Sequence, residues 1–342
     1  MPLFLANIFD WLLSNRGLEQ LEHRFGEVRG NWLFAPRTQP QPEVGDRILL
    51  NPSTMDTVVT PAQAATKASQ VVAWVLFPDQ VLGWDFARHQ FLNVRRDIAV
   101  DALRVSSDLY ANSQFTRCLL RQAKVHDDAP IIPLGVDLSG IDQASSEAHR
   151  GRDDFVHVYW GHMWRTQKDP ETAVEILQAV AKACPRVRMT IGREHSWGPP
   201  EHSPQEFQTR LLRAISDLRK FAPTRVHVRQ TYQDSADYWR FMGSVDISFS
   251  CAREETFGLA MMEHAAAGVA CVVPDNMCYP EIHSGATLVP GDRKSTVDAI
   301  VALVNSPKLR ARTQADCLKN AQRYSVDRTI VKICDAFALN KG

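Results

Sequence analysis

Along the second half of the chain, short apolar runs alternate with longer segments in which apolar residues recur every three or four positions. The short runs predict strands, and the longer segments predict amphipathic helices. The predicted strands are Phe155–Trp160, Val187–Ile191, Val226–Val228, Val245–Phe249, Val269–Val273 and Thr287–Val289. The predicted helices are Glu171–Cys184, Gln205–Phe221, Ala236–Phe241, Leu259–Ala267 and Thr296–Asn305. This alternation predicts an α/β fold with a parallel sheet that carries helices on both faces.

The first half shows the same alternation less clearly. Its predicted strands are Arg47–Leu50, Gln70–Phe77 and Asp108–Ala111, and its helical segments are Ile98–Leu103 and Gln114–Arg121. Leu3–Leu13 predicts an amphipathic first helix, because polar residues interrupt an apolar run that is too short to span a bilayer. No basic segment precedes this run, so it does not predict a signal peptide. A polar stretch at 139–153 predicts a linker between two domains, for which 342 residues suffice.

The composition narrows the class of protein. Lys+Arg and Asp+Glu both number 39, so a protein that binds nucleic acid through its overall charge is not indicated. A local basic cluster in the first half leaves a smaller nucleic-acid surface open, with helix-surface cations as the alternative; it comprises Arg88, Arg95, Arg96, Arg104, Arg117, Arg121 and Lys124. The seven cysteines lack a close-paired metal spacing, which favours free thiols in a cytoplasmic protein without a structural metal.

Two acids stand eight positions apart in the segment Glu255-Thr-Phe-Gly-Leu-Ala-Met-Met-Glu263. A predicted strand precedes the segment, and a helix is expected to begin near Phe257. The first N–H groups of such a helix are free to bind an anion such as a diphosphate. Gly258 permits close approach of the backbone. The alternative is that Glu255 only caps the helix and Glu263 is a solvated helical acid.

A second loop after a predicted strand carries two cations. The strand ends at Gly161, Arg165 and Lys168 follow, and Asp169-Pro170 is a favourable start for a helix. These cations could neutralise a diphosphate. The alternative is that both are solvated cations at the surface, which would give the same sequence pattern. Glu281 lies in a third loop of this kind and is either a ligand-binding residue or a helix cap. In the first half, Asn112-Ser113 follows a strand, and Ser113 is expected to cap the next helix.

These residues together resemble the GT-B glycosyltransferases, specifically the family 4 type that uses nucleotide sugars with retention of anomeric configuration. The resemblance is strongest over residues 155–292, where Glu255…Glu263 resembles the paired-glutamate motif and Lys168-Asp169-Pro170-Glu171 the phosphate-binding lysine before a helix. The sequence has no Asp-x-Asp pair of the kind that a metal-dependent sugar transferase needs. Within the family, the segments Trp160-Gly161-His162 and Tyr279-Pro280-Glu281-Ile282 resemble the branch that mannosylates the queuosine base of tRNA. This resemblance admits a modified base of tRNA or DNA as acceptor.

The resemblance implies two Rossmann-like domains. Residues 1–140 would form a shortened acceptor-side domain, 141–153 the linker, 154–310 the nucleotide-sugar domain, and 311–342 helices that cross back to the first domain. The implied reaction is metal-independent transfer of a hexosyl or pentosyl group from a nucleotide diphosphate sugar, the donor substrate, to an acceptor hydroxyl. No other cofactor is implied. The alternatives are an inactive nucleotide-sugar-binding protein, or a phosphorylase or epimerase on the same fold.

The resemblance also implies roles for individual residues. Glu255 would hold hydroxyls of the donor sugar, and Glu263 those of the ribose. Arg165 and Lys168 would neutralise the diphosphate, with the family's usual arginine replaced by Met163. The remaining expected donor contacts are the backbone N–H groups of Phe257, Gly258 and Leu259, together with Gly161 and Glu281. The family's histidine near the donor sugar is absent, and Asp79 is expected in its place, with His89 as the alternative.

Overall fold

The computed structural model describes residues 2–8, 14–32, 41–50, 64, 66–76, 84–85, 90–91, 106, 108–138, 141, 154–162, 164–193, 205–229, 232 and 235–338. Structural statements below concern these residues. Tertiary contacts divide the chain into two compact units. The first unit comprises Met1–Asp137 and Tyr324–Gly342, and the second comprises Leu138–Arg323.

The first unit contains a parallel sheet with the strand order β2-β1-β3-β4-β7. Its strands are β1 (Leu3–Ile8), β2 (Val28–Trp32), β3 (Arg47–Leu50), β4 (Gln70–Val75) and β7 (Asp108–Ala111). A separate antiparallel pair joins β5 (Trp84–Asp85) to β6 (Gln90–Phe91). The strands predicted for this half are therefore confirmed, with β4 ending two residues early. The predicted helix over Ile98–Leu103 lies outside the described residues.

The start of the chain is where the sequence-based prediction is wrong. Leu3–Ile8 forms β1, a strand paired on both sides with β2 and β3, instead of the first turns of a helix. A strand buried between two neighbours is apolar throughout, and such a short run cannot be told from a helical segment by its spacing. β1 supplies the opening strand that the family has at this place, which removes the reason to expect a shortened first domain.

Helices α1 (Ser14–Phe25) and α2 (Gln114–Gln122) belong to the first unit, and α10 (Val326–Ala338) joins them from the end of the chain. The predicted cap of α2 is confirmed, since Ser113 Oγ accepts the Thr116 N–H at 3.2 Å. Helix α10 packs against α1, where the Phe25 and Phe337 rings meet edge to face at 5.6 Å.

The second unit contains a parallel sheet with the order β10-β9-β8-β11-β12-β13. Its strands are β8 (Val156–His162), β9 (Val187–Arg193), β10 (Val226–Arg229), β11 (Ile247–Phe249), β12 (Ala270–Pro274) and β13 (Thr287–Val289). Its helices are α3 (Pro170–Ala183), α4 (Gln205–Phe221), α5 (Ser235–Met242), α6 (Leu259–Ala266), α7 (Tyr279–Ile282), α8 (Arg293–Asn305) and α9 (Pro307–Ala321). The predicted α/β class with parallel sheets is confirmed.

The order of these strands fixes where a ligand can bind. From β8 the chain runs outward through β9 to β10, then returns to β11 on the other side of β8 and continues to β13. The connections after β8 and β11 therefore diverge at the carboxyl edge, which leaves a crevice of the kind that binds ligands in open α/β sheets. Lys168 follows β8 and Glu255 follows β11, so the fold directs both residues to this point. Among the described helices, none is long and apolar enough to cross a membrane.

Candidate donor-binding site

The connection from β8 to α3 presents Lys168. After β8 a short 3-10 turn covers Thr166–Lys168, and Asp169 takes a left-handed conformation with φ 50°. As predicted, Asp169 caps α3, accepting the Thr172 N–H at 3.4 Å. Its other carboxylate oxygen accepts the Arg253 Nε–H at 2.8 Å, which ties this connection to the one after β11. Lys168 is thereby fixed on a turn anchored at its C-terminal side.

Glu255 lies in the connection from β11 to α6 and makes an ion pair with Lys168, with Nζ and Oε2 2.6 Å apart. Each side chain is only about 15% exposed, at 15% and 14%. The Lys168 ammonium also donates to the Glu254 carbonyl at 3.3 Å, and Glu255 Oε1 accepts the Thr256 N–H at 3.0 Å. Burial raises the pKa of Glu255, but the charge and hydrogen bond of Lys168 outweigh it and lower the pKa to about 2. Glu255 is a fixed anion at neutral pH.

Helix α6 begins directly beyond this pair, at Leu259 and not at Phe257. Gly258 precedes it with φ 76°, a left-handed conformation that favours glycine. A Cβ built on Gly258 would lie 2.8 Å from Nε2 of His283, whose ring contacts the Phe257 carbonyl at 3.1 Å. The backbone from Phe257 to Leu259 is therefore held at the mouth of the helix by a buried histidine, while the Phe257 ring packs into the core.

Glu263 occupies a different environment farther along α6. Its Oε2 accepts a hydrogen bond from Tyr238 Oη of α5 at 3.1 Å. No cation pairs with Glu263 among the residues that the structure describes. Burial raises its pKa to about 7, although the Tyr238 hydrogen bond acts in the opposite direction. Glu263 is thus half ionised near neutral pH, unlike Glu255.

His162, at the end of β8, belongs to the site but was missed as a site residue. It is 2% exposed, and its Nε2 has no hydrogen-bond partner within the described part of the chain. Burial and the charge of Lys168 lower the pKa of His162 to about 3, so the ring is neutral. A buried ring nitrogen without a partner normally requires one, which a ligand could supply. In the sequence it directly follows the predicted strand end at Gly161, within the motif Trp160-Gly161-His162, but this position gave it no role.

The other expected site residues are less well defined. Arg165 is half-buried and lies in the same connection as Lys168, whose N–H contacts its carbonyl at 3.0 Å. Glu281 is half-buried in the first turn of α7. Gly161 has a structural reason to be glycine, because a Cβ there would overlap the ring of Tyr159. Asp79 and its alternative His89 lie outside the described residues.

No group of three or more His, Cys, Asp or Glu side chains in the described ranges could hold a metal ion. The described cysteines are free thiols, and burial together with the Asp169 carboxylate raises the pKa of Cys251. Metal independence remains a prediction from the sequence. Within the described site, positive charge comes from Lys168 and from the backbone N–H groups at the start of α6.

Comparison with known proteins agrees with this geometry. Residues 154–306 match the family described as glycosyl transferases group 1. The matched range covers less than half of the chain and lies within the second unit, where it indicates a glycosyl transferases group 1 domain. Every described site residue named above lies inside this domain.

One curated relative and several solved structures extend the comparison. A tRNA-queuosine alpha-mannosyltransferase of Drosophila melanogaster is 24% identical over 184 residues, or 53% of this chain. The match spans 45% of that relative, so the chain covers less than half of its length. HepE of Anabaena, solved in complex with UDP, superposes with a TM-score of 0.68 at 17% identity, covering 98% of this chain and 99% of that one. A glycosyltransferase from Rickettsia africae gives 0.69 at 11% identity, covering 100% and 99%.

The likeness to these structures establishes the fold. A UDP-forming trehalose-phosphate synthase from Burkholderia xenovorans also superposes with a TM-score of 0.69 at 11% identity, covering 86% of this chain and 73% of that one. The predicted GT-B fold is thereby confirmed, and the range that matches the group 1 family lies within its second unit.

Proposed function

We propose that this protein is a retaining glycosyltransferase that moves a sugar from a nucleotide diphosphate sugar to an acceptor hydroxyl without a metal ion. The observation that carries the proposal is the Lys168–Glu255 ion pair at the crevice between β8 and β11, beside the start of α6. One cation, one fixed anion and a helix N-terminus are the groups that a sugar diphosphate requires. The group 1 domain supports the same conclusion.

The proposed chemistry assigns a separate part of the donor to each residue. Lys168 and Arg165 bind the diphosphate and neutralise the charge that develops as it leaves, and the N–H groups of Phe257, Gly258 and Leu259 assist. Glu255, released from Lys168 on binding, accepts hydrogen bonds from sugar hydroxyls. The bond from the anomeric carbon to the diphosphate breaks, the bond to the acceptor oxygen forms, and the acceptor proton leaves with the diphosphate. Fixed cations and dipoles perform this stabilisation without reorganising.

The remaining assignments complete the proposed donor site. Glu263 binds the ribose hydroxyls, while Gly161 and Glu281 contribute further contacts. Asp79, which lies outside the described residues, is assigned the role of the family's missing histidine near the donor sugar. His162, which the sequence did not indicate, offers its unpaired Nε2 to a donor hydroxyl.

For the acceptor we propose a modified nucleobase in tRNA or DNA. The support is the Drosophila relative, whose name gives queuosine in tRNA as the acceptor of that protein. A base in duplex would have to be turned out of the helix to reach an active site. Of the basic cluster in the first unit, Arg117, Arg121 and Lys124 are described, and Arg117 is paired with Asp128 at 3.1 Å. If these cations bind the phosphates of a nucleic acid, salt should weaken that binding.

The test is incubation of the purified protein with UDP- and GDP-sugars in the presence of EDTA, with and without queuosine-containing tRNA or hydroxymethylated DNA. Mass spectrometry of digested nucleosides should detect a glycosylated base and an equal amount of nucleoside diphosphate. Glu255→Gln should bind the nucleotide and form no product. Nucleotide binding without turnover would favour an inactive binding protein, and free sugar phosphate or an epimerised donor would favour a phosphorylase or epimerase.

A further inference from the structure

An aromatic cluster from β8, from α5 and from the connection before α5 reaches Glu263 of α6 through Tyr238. We define this cluster as Tyr159, Tyr232, Tyr238 and Phe241. The Tyr159 and Tyr232 hydroxyls are 2.8 Å apart, and the Tyr232 and Tyr238 rings meet edge to face at 4.9 Å. The Tyr159 ring also contacts Phe241 at 5.1 Å. This packing restricts the Tyr238 hydroxyl, which donates to Glu263 at 3.1 Å.

The charged groups on the surrounding elements are engaged elsewhere. Arg229, which stacks on Tyr232 at 4.5 Å, donates to Asp237 at 2.5 Å. On α9, which packs on α6, Arg310 lies 4.0 Å from Asp246 and Arg312 lies 3.8 Å from Asp316.

The neighbouring titratable groups do not compensate Glu263 either. His264 is directed at Ser248 Oγ of β11, 2.8 Å away, and is neutral because burial lowers its pKa. Among the described residues, Glu263 therefore has one polar partner, the neutral Tyr238.

We propose that Tyr238 is a positioning residue that keeps the Glu263 carboxylate ready for the ribose of the donor, and that ribose recognition is coupled to loss of a proton from Glu263. This inference rests on the proposed function, in which Glu263 binds the ribose hydroxyls. A carboxylate can accept from both hydroxyls of the ribose, whereas a protonated carboxyl has less acceptor capacity. The Tyr238 hydrogen bond favours the ionised form and fixes the orientation of the group.

The direction of the pH dependence follows from these contacts. The pKa of free Glu263 is raised to about 7, so a ligand that prefers the carboxylate must first displace its proton at lower pH. Affinity for the ribose therefore falls as pH decreases below 7, by up to about tenfold per pH unit. Loss of the Tyr238 hydroxyl removes a group that lowers the pKa, so the midpoint moves to higher pH.

The experiment measures the affinities of UDP and GDP and of their 2′-deoxy counterparts by calorimetry between pH 5.5 and 8.5. The ratio of the deoxy to the ribo dissociation constant is the readout, because ionisation of the phosphates affects both nucleotides equally. In the wild type this ratio should rise with pH through about 7. In Tyr238→Phe it should be about three- to tenfold smaller at pH 7, which corresponds to the net contribution of one typical hydrogen bond.

Two variants control for packing and for the carboxylate. Tyr232→Phe removes a hydroxyl from the same cluster without touching Glu263, and its midpoint should match that of the wild type. Glu263→Gln should give a ratio that does not change with pH. A Tyr238→Phe profile that overlays the wild type would overturn the inference while the proposed function stands, as would a pH-independent ratio in the wild type. Failure of both UDP and GDP to bind would overturn the proposed function as well.

Discussion

The two ends of the α6 region place glutamates of the same chemistry in opposite electrostatic settings. Glu255, in the loop before the helix, has a direct cation at 2.6 Å and a pKa lowered to about 2. Glu263, inside the helix, has only a tyrosine at 3.1 Å and a pKa raised to about 7. Both are largely buried, so the difference lies in the partner and not in exposure. Burial alone therefore does not set the charge of a carboxylate at this site.

This difference suggests a division of labour along the proposed donor. The permanently charged Glu255 lies beside Lys168, where a diphosphate and its sugar would bind. The titratable Glu263 lies beside Tyr238, where the proposed ribose contacts are made. One end of the site would be independent of pH in the physiological range, and the other would respond to it.

The largest expected effect comes from removing the charge of Glu255. Glu255→Gln should lower the rate of sugar transfer by about 100-fold or more, because the group is proposed to act where charge develops. Steady-state kinetics with the UDP- or GDP-sugar that serves as donor measures this effect. The matched variant Glu254→Gln changes the adjacent acid, which contributes its backbone carbonyl to Lys168, and should retain most activity. Near-normal turnover by Glu255→Gln would remove this residue from the proposed mechanism.

Removing the partner cation should act mainly on donor binding. Lys168→Ala should weaken binding of the nucleoside diphosphate by about 1–3 kcal/mol, as one charged hydrogen bond is lost. Calorimetric titration of the nucleoside diphosphate and of the bare nucleoside separates the two parts of the ligand. The loss should appear only with the diphosphate. An equal loss with both ligands would indicate a general change of structure.

The two glutamates should also affect stability in opposite directions with pH. A raised pKa in the folded state means that Glu263 destabilises the protein increasingly as pH rises from about 4.5 to about 7. Between those limits Glu263→Gln should gain about 1–3 kcal/mol relative to the wild type. Because its pKa is lowered, Glu255 stabilises above about 4.5, and that contribution is lost as pH falls toward 2. Urea unfolding checks the two signs, with Glu263→Gln compared with the wild type at pH 4.5 and 8, and Glu255→Gln compared with it at pH 3 and 6. If the stability difference from the wild type changed with pH in the same direction for both variants, the account would be contradicted.

A smaller effect should follow from loosening the turn that carries Lys168. Asp169→Ala removes the cap of α3 and should cost about 0.5–2 kcal/mol of unfolding free energy. The exposed Arg253 partner adds little, because its ion pair with Asp169 is solvated. Asp169→Asn keeps a capping oxygen and tolerates the left-handed backbone, so it should lie close to the wild type in thermal unfolding. Equal destabilisation by both variants would show that the cap is not the reason for the loss.

Much of the second unit could be predicted from the sequence because its strands and helices have distinct periodicities. Gln205–Phe221 and Thr287–Val289 have the predicted bounds, and α8 begins three residues before its predicted start because Asp292 caps it. Lys168 and Glu255 meet because β8 and β11 are neighbours in the sheet. The sequence predicts a parallel sheet, but it does not give the order of the strands. The opening strand could not be recognised, since β1 is apolar on both faces.

The environment of each side chain was beyond the sequence. Glu255 and Glu263 are the same type of residue in the sequence. Their pKa values differ because Glu255 contacts Lys168, whereas Glu263 contacts Tyr238. His162 belongs to the motif Trp160-Gly161-His162. That its Nε2 is buried without a partner among the described residues is a property of packing, which the motif does not show. Tyr238 lies 25 positions from Glu263, and no local pattern connects the two.

The most direct test of the central claim is a crystal structure with the UDP- or GDP-sugar that serves as donor. The account predicts that the Lys168 ammonium leaves Glu255 and lies within hydrogen-bonding distance of the diphosphate, with Glu255 on the sugar hydroxyls and the diphosphate at the start of α6. A nucleotide sugar bound away from the edge between β8 and β11, with the Lys168–Glu255 pair still closed, would contradict it.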